Sequence, residues 1–142
     1  MKRIVLISCV SKKLPYKSKA KDLYTNPWFK LSYKYAVSLS PDKIFILSAK
    51  YGLLNPEQEI EPYNETLNTK SMQEIKNWAQ EGLIDLKKQT DLENDEFIFL
   101  AGTKYRKFLT SHIKNYKIPL EGLTIGRQLS FLKKNFKIKK VI

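Results

Sequence analysis

Three stretches of this chain share one hydrophobic pattern. Residues 3–9, 43–49 and 96–102 are each a short run of β-branched, aliphatic and aromatic positions that ends abruptly in small or polar residues. A strand with one wet face alternates apolar and polar, whereas a run that is apolar throughout is what a strand covered on both faces shows. A helical pattern follows each run. Asn26-Pro27 opens a helix with proline at an early position, where its missing N–H costs nothing, and Trp28, Leu31, Tyr35 and Leu39 give it an inward face until Ser40-Pro41-Asp42 stops it. Ser71 and Glu74 have capping-box spacing, and Met72, Ile75, Ala79, Leu83 and Leu86 mark an amphipathic helix to about Lys88, with Gly82 its weak point. Thr103 is placed to cap a helix with Phe108, Leu109 and Ile113 inward. A last helix starts near Thr124 with Ile125, Leu129, Leu132 and Phe136 inward, and residues 137–142 alternate as a short edge strand would. The acid- and proline-rich stretch 55–68 reads as an ordered loop. The pattern predicts a Rossmann-like three-layer α/β sandwich with a mostly parallel central sheet. Ligands of such sheets bind beyond the carboxyl ends of the strands. That rule gathers Ser8-Cys9, Lys50-Tyr51-Gly52 and Gly102-Thr103-Lys104-Tyr105 at one edge.

Length and composition narrow the picture. At 142 residues and 42% apolar content the chain fits one globular domain spanning 1–142. No apolar stretch approaches the roughly 20 residues of a membrane helix, so no membrane partner is expected. Met1-Lys2-Arg3 followed by a short apolar run and then Lys12-Lys13 reads as the first strand and not as a signal peptide. A single cysteine cannot form an internal disulfide, which suits a reducing cytoplasm. The net charge of +12 is unevenly spread. Residues 1–50 carry 11 Lys/Arg against 2 acids, residues 51–100 carry 4 against 11, and residues 101–142 carry 11 against 1. Such segregation fits a basic face for a polyanion, with DNA or RNA the expected partner, although a Lys-rich proteome would also raise the charge.

The candidate chemistry clusters near the strand ends. Cys9 follows the first strand, where a nucleophile could meet a ligand. Lys12, Lys13, Lys17 and Lys19 would favour its thiolate, while the plain alternative is a cysteine packed as a small hydrophobe. The stretch 8–19, dense in hydroxyl and ammonium groups, can hold phosphate, but without glycines it is no P-loop, and a solvated basic loop is the other reading. Asp22 could position a water or simply start a helix. Lys50 and Tyr51 would stand over the site, with Gly52 allowing a positive-φ turn. Tyr51, Tyr63 and Tyr105 could stack on a base or cap the sheet edge. One of Glu57, Glu59 and Glu61 could bind a base edge or ribose hydroxyls, or act as a base. His112, the sole histidine, fits a structural or surface position. No zinc spacing or dinucleotide fingerprint is present, so neither a structural metal nor another cofactor is expected.

Several blocks taken together resemble a known family. They are Ser8-Cys9-x-x-Lys12-Lys13-x-Pro15-Tyr16, Ala20-x-x-Leu23-Tyr24, Ile46-Leu47-Ser48-Ala49-Lys50-Tyr51-Gly52-Leu53, Glu61-Pro62-Tyr63 and Pro119-Leu120-Glu121-Gly122-x-x-Ile125-Gly126. The chain is similar over nearly its whole length to the YaaA-like, or peroxide-stress-like, α/β domains. More distantly, Cys9, Lys13, Pro15 and Tyr16 resemble the Pro-Cys-x-x-x-Lys-Pro-Tyr motif of archaeosine synthases, with Ser8 in place of the leading proline and Leu14 inserted. That resemblance implies a base-binding pocket and a fold similar to uracil-DNA glycosylases. Pro15-Tyr16 and Asp22 are loosely similar to the glycosylase first-strand loop and its water-activating acid.

These readings set one expectation above the others: an enzyme acting on a nucleobase or nucleotide-like group, in DNA or RNA. Catalysis would fall to Cys9 by attack on an electrophilic carbon, or to Asp22 or Glu61 by directing water. Ser8, Lys13, Tyr16, Lys50, Tyr51, Gly52, Tyr63, Gly102, Thr103, Lys104 and Tyr105 would bind, and the base would enter between Tyr16, Tyr51 and Tyr105. A non-catalytic nucleic-acid-binding protein of stress or DNA damage, and a small-molecule nucleotide enzyme, are the alternatives.

Overall fold

A computed structural model describes residues 1–141, with side chains described through Asn135. The three apolar runs form β1 (Arg3–Ser8), β3 (Lys43–Ser48) and β6 (Glu96–Leu100), side by side and parallel, with β1 in the middle. In register, Val5 sits between Ile44 and Ile98, and Leu6 between Phe45 and Phe99. The central place of β1 explains its unbroken apolar sequence, since both its faces are covered and Ile4, Val5, Leu6 and Ile7 are fully buried. Burying each such side chain contributes about 1.5–3 kcal/mol. A short antiparallel strand β4 (Gly52–Leu54) extends the sheet beyond β3, and β7 (Tyr116–Lys117) extends it in parallel beyond β6, giving the order β4-β3-β1-β6-β7. The result is a mostly parallel five-stranded sheet with helices on both faces, the expected three-layer α/β sandwich.

The connections decide which helix lies on which face. From β1 the chain passes through the short helix α1 (Ala20–Leu23) and then α2 (Pro27–Ser38) to β3, one step to one side. From β4 it returns through α3 (Met72–Gln89) to β6, across β1 and in the opposite direction, and from β6 it continues through α4 (Thr103–Thr110) to β7. Because parallel crossovers are right-handed, opposite directions put the helices on opposite faces. Accordingly α2 packs against α5 (Ile125–Val141), and α3 packs against α4. A two-stranded ribbon of β2 (Ser18–Lys19) and β5 (Glu59–Ile60) pins the first loop to the segment after β4.

The structure refines several helix faces. In α2 the sheet-facing stripe is Phe29, Ser32 and Ala36. Trp28, Leu31 and Tyr35 lie beside it, half-buried, and Tyr35 meets Phe131 of α5 edge-on at 5.7 Å between ring centroids. The helix is covered from two directions, which one amphipathic stripe does not express. In α3 the capping box of Ser71 and Glu74 is formed, and Ile75, Ala79, Leu83 and Leu86 are buried, but Met72 is exposed in the first turn. Gly82 lies within that buried face, where an added Cβ would meet Leu109 at an ordinary 3.9 Å. Thr103 is not the cap of α4: Gly102 occupies that position and no side chain caps the helix. Leu109 and Ile113 are buried as expected, joined by Tyr105, with Phe108 half-buried. Ile125 is exposed, not inward. The expected terminal strand is absent, because the backbone continues α5 as a helix through Val141. Phe136 and the side chains beyond it lie outside the described residues. The loop 55–68 holds β5 and leads into a 3-10 turn, Leu67–Thr69.

Candidate functional site

The ends of β1 and β6 are tied together and yet diverge. Cys9 N donates to Leu47 O at 2.9 Å, carrying the β1–β3 pairing one residue past the strand. Gly102 N donates to Ser8 Oγ at 3.4 Å, holding the cap of α4 against β1. The chain leaves β1 toward the α2 face and leaves β6 toward the α4 face. This is the topology that opens a crevice at strand carboxyl ends.

A cavity of about 620 Å³ occupies that crevice, within the roughly 300–1,000 Å³ range of small-molecule sites. Its apolar wall includes Trp28, Phe99, Ile118, Leu123 and Ile125, and its polar rim includes Lys104, Arg106 and Glu121. Arg106 Nη1 donates to Ala101 O at 2.8 Å, and its Nη2 lies 3.8 Å from Glu121 Oε2. Thr124 Oγ1 accepts from Arg127 N at 3.4 Å and so caps the start of α5 at the rim. The exposure of Ile125, 62%, is explained here: it faces a cavity instead of a neighbouring helix. A second chamber of about 410 Å³ adjoins the first, lined by Ser11, Lys13, Asn64, Glu65 and Thr66. Cys9, Val10, Asn26, Asn68 and Tyr105 line both chambers and form the seam between them.

Cys9 is only 7% exposed, and its thiol donates to Tyr105 Oη at 3.3 Å. Lys13 Nζ sits 4.5 Å from the Tyr63 ring centroid and 5.7 Å from that of Tyr24, a cation held over two aromatic faces. Burial pulls its pKa below the ordinary lysine value, while the charge of Cys9 acts in the opposite sense. Behind it, Ser48 Oγ donates to Tyr63 Oη at 2.8 Å, and the Tyr24 and Tyr63 hydroxyls share a hydrogen bond of 2.6 Å. Burial raises the pKa of Tyr24, Tyr63 and Tyr105 well above the usual phenol value, so these hydroxyls stay protonated at neutral pH. The arrangement offers a recessed thiol, a partly desolvated ammonium in the neighbouring chamber, and a neutral tyrosine network behind them.

Of the residues singled out in the sequence, Ser8, Cys9, Gly102, Thr103, Lys104 and Tyr105 line the larger chamber, and Lys13 joins Cys9 in the smaller one. Lys104 Nζ also donates to Asn68 O at 3.2 Å. The structure does not bring the others to these chambers. Tyr16, 61% exposed, points away on its loop. Lys50-Tyr51-Gly52 is a hairpin turn: Gly52 has φ +73°, Ser48 Oγ accepts from Lys50 N and Tyr51 N, and Tyr51 packs edge-on against Tyr63 at 5.5 Å. Tyr63 acts from behind, through Lys13. Asp22 is exposed on α1 beside Lys21, and Glu61 is exposed, its carbonyl accepting from Tyr51 Oη at 3.3 Å. Glu57 is held by Lys21 at 2.9 Å and Lys19 at 3.6 Å, and the Lys21 contact keeps its pKa low. Of the four lysines expected around Cys9, Lys13 alone shares a chamber with it.

Sequence reasoning missed Trp28, Arg106, Asn26, Asn64, Glu65 and Asn68. Trp28 reads as core because a helix face looks the same whether it meets a sheet or a cavity. Asn64, Glu65 and Asn68 carry no motif and reach the site because Ile60 pairs with Ser18 and folds their loop back. The one usable signal was the block 119–126, whose Leu120, Glu121, Gly122, Leu123 and Ile125 line the larger chamber.

Among the described residues no group of three or more His, Cys, Asp and Glu could hold a metal ion. No described helix is long and apolar enough to cross a membrane. A model of a family of unknown function, DUF6884, matches residues 4–134, and the chain belongs to that family. No curated protein and no solved structure matches it.

Proposed function

We propose, from the cleft of a protein whose family has no assigned activity, that the chain is an enzyme acting on a nucleobase or nucleotide-like group, with Cys9 as the nucleophile. One observation carries the reading: Cys9 lies at the seam of two chambers beyond the carboxyl ends of β1 and β6, with an apolar lining on one side and Lys13 on the other. A planar base would lie against Trp28, Ile118 and Leu123. This replaces the tyrosine sandwich expected from the sequence, of which Tyr105 remains as part of the floor. Lys104 supplies a cation for phosphate at the larger chamber. The Cys9 thiol would add across a polarised ring double bond, its sulfur bonding to the electrophilic carbon while the π pair and the thiol proton pass to the adjacent ring atom. Asp22 and Glu61 lie outside both chambers, which favours covalent chemistry over water-directed excision by those two residues. The likeness to archaeosine synthases supports the same reading, because its Cys9 and Lys13 line one chamber.

If the base belongs to a polymer, flipping it out costs a few kcal/mol, which the wall and the cations must offset. The basic first and last thirds of the chain favour such a polymer, and they equally favour a second reading, nucleic-acid binding without catalysis. Fluorescence anisotropy with single-stranded DNA, duplex DNA and tRNA across a salt series tests for a polymer. Affinity falling log-linearly with salt supports one, and no binding at low salt removes it. Nucleoside mass spectrometry of the preferred polymer then separates the readings. A modified or released base that disappears with Cys9→Ala supports the enzyme, and binding with no turnover by the wild type overturns it.

A further inference from the structure

The two chambers meet at Cys9 but differ in chemistry, and the smaller has polar capacity that the protein itself does not use. The carboxamides of Asn64 and Asn68 have no hydrogen-bond partner among the described residues. Asn26 accepts from Trp28 N through Oδ1 at 2.8 Å, and among the described residues neither its amide nitrogen nor the Glu65 carboxylate has a partner. Apart from Tyr105 at the seam, no aromatic ring among the described residues lines this chamber, so a base placed there would lack a stacking surface. A phosphate would meet Glu65, and Lys13, the one cation lining this chamber among the described residues, is already held over two tyrosine rings. A neutral polyol fits better. Each hydroxyl both donates and accepts, which matches carboxamides and a carboxylate together. A carboxylate accepting from a ribose hydroxyl is also how dinucleotide sites hold the sugar.

We infer that the smaller chamber is a sugar subsite for a ribose: Glu65 accepts from its 2′-hydroxyl, and Asn64 and Asn68 complete the hydrogen bonds of the sugar. This rests on the nucleotide reading above and deepens it. With the base on the Trp28 wall and the sugar among the asparagines, the bond joining them crosses the seam beside Cys9. The substrate class is then ribonucleotide or RNA and not DNA.

The test is titration calorimetry with the four ribonucleoside 5′-monophosphates, their 2′-deoxy counterparts, and matched RNA and DNA tetranucleotides. Wild type, Glu65→Gln and Asn64→Ala are compared, both substituted side chains being exposed so that the fold is kept. At least one ribo-ligand is expected to bind about tenfold more tightly than its deoxy partner, the worth of one hydrogen bond to a charged group. Glu65→Gln should weaken the ribo-ligands more than their deoxy partners and so bring that ratio toward one. Equal ribo and deoxy affinity in the wild type, with binding lost in Trp28→Ala, would overturn the sugar subsite and leave the nucleotide cleft standing. A ribose preference that survives in both variants would overturn the roles of Glu65 and Asn64. Binding of none of these ligands would overturn the nucleotide reading and this inference with it.

Discussion

The two edges of the central sheet are built from similar polar residues and treat them in opposite ways. At the amino-terminal edge nearly every polar group is used. Asp95 accepts from Lys2 N through one carboxylate oxygen and from Asp91 N through the other, each at 2.9 Å. Glu96 receives Arg3 at 2.8 Å and Lys117 at 3.2 Å, Asp42 accepts from Arg3 N at 2.7 Å, and Lys43 donates to Gln89 O at 2.8 Å. At the carboxyl-terminal edge the backbone is tied down just as firmly, through Ser8, Ser48 and Cys9, but the side chains above it are left with spare capacity. Asn64, Asn68 and Glu65 line the smaller chamber, and their side chains make no hydrogen bond to the protein among the described residues. An edge that satisfies itself closes the fold, and an edge that holds polar groups in reserve is where a ligand can supply the missing partners.

The sharpest way to break this contrast is at Asp95, only 6% exposed. Asp95→Ala removes the acceptor from two backbone N–H groups and should cost about 3 kcal/mol of stability by urea unfolding, since hydrogen bonds to charged acceptors contribute about 1.5–3 kcal/mol each. Binding in the cleft should persist at temperatures where the variant is folded. A loss of less than about 1 kcal/mol would show that this edge is not held by its polar pairs.

A middle-sized effect separates the edges by pH. Tyr24, Tyr63 and Tyr105 stand behind the cleft with raised pKa values, caused first by burial. A raised folded-state pKa means that the unfolded chain releases the proton first. The stability these phenols contribute is therefore complete below about pH 10 and lost progressively as pH rises above it. Urea unfolding between about pH 9 and about pH 11 should show this fall. Tyr63→Phe should make it shallower, at the expense of about 1 kcal/mol at neutral pH for the lost Ser48 and Tyr24 hydrogen bonds. An unchanged slope in Tyr63→Phe would mean that the phenol is not kept neutral by its surroundings.

The same contrast explains what could be read from the sequence. The three central strands were legible because burial on both faces leaves an unmixed apolar run, and their carboxyl ends followed from the rule for parallel sheets. Hence the positions of Ser8, Cys9 and residues 102–105 at that edge were legible. Capping signals were legible at Ser71 and Asn26, where one side chain acts on its own helix. Contributions from a distance were not. Asn64, Glu65 and Asn68 arrive through the pairing of β5 with β2, two residues on each side, too short to carry a pattern. Lys50-Tyr51-Gly52 stands apart from both chambers: the Ser48 hydroxyl and the positive φ of Gly52, the turn its sequence suggests, lead it into β4.

Glu57 marks the smallest expected effect and the limit of the argument from charge. It shares the acidic stretch with Glu61 and Glu65, and it makes the ion pairs with Lys21 and Lys19 that a count of contacts would reward. Yet it is fully exposed, where water competes for both partners and holding two long side chains together consumes the Coulombic gain. Glu57→Gln should leave the unfolding midpoint within measurement error at physiological salt, and it should leave ligand affinity unchanged. Glu65, eight positions later and without a partner among the described residues, should do the opposite: no change in stability, but a measurable change in ribo-ligand affinity. A destabilised Glu57→Gln would mean that the β2–β5 ribbon depends on that ion pair, and that the spare polar groups beyond it owe their placement to charge as well as to chain pairing.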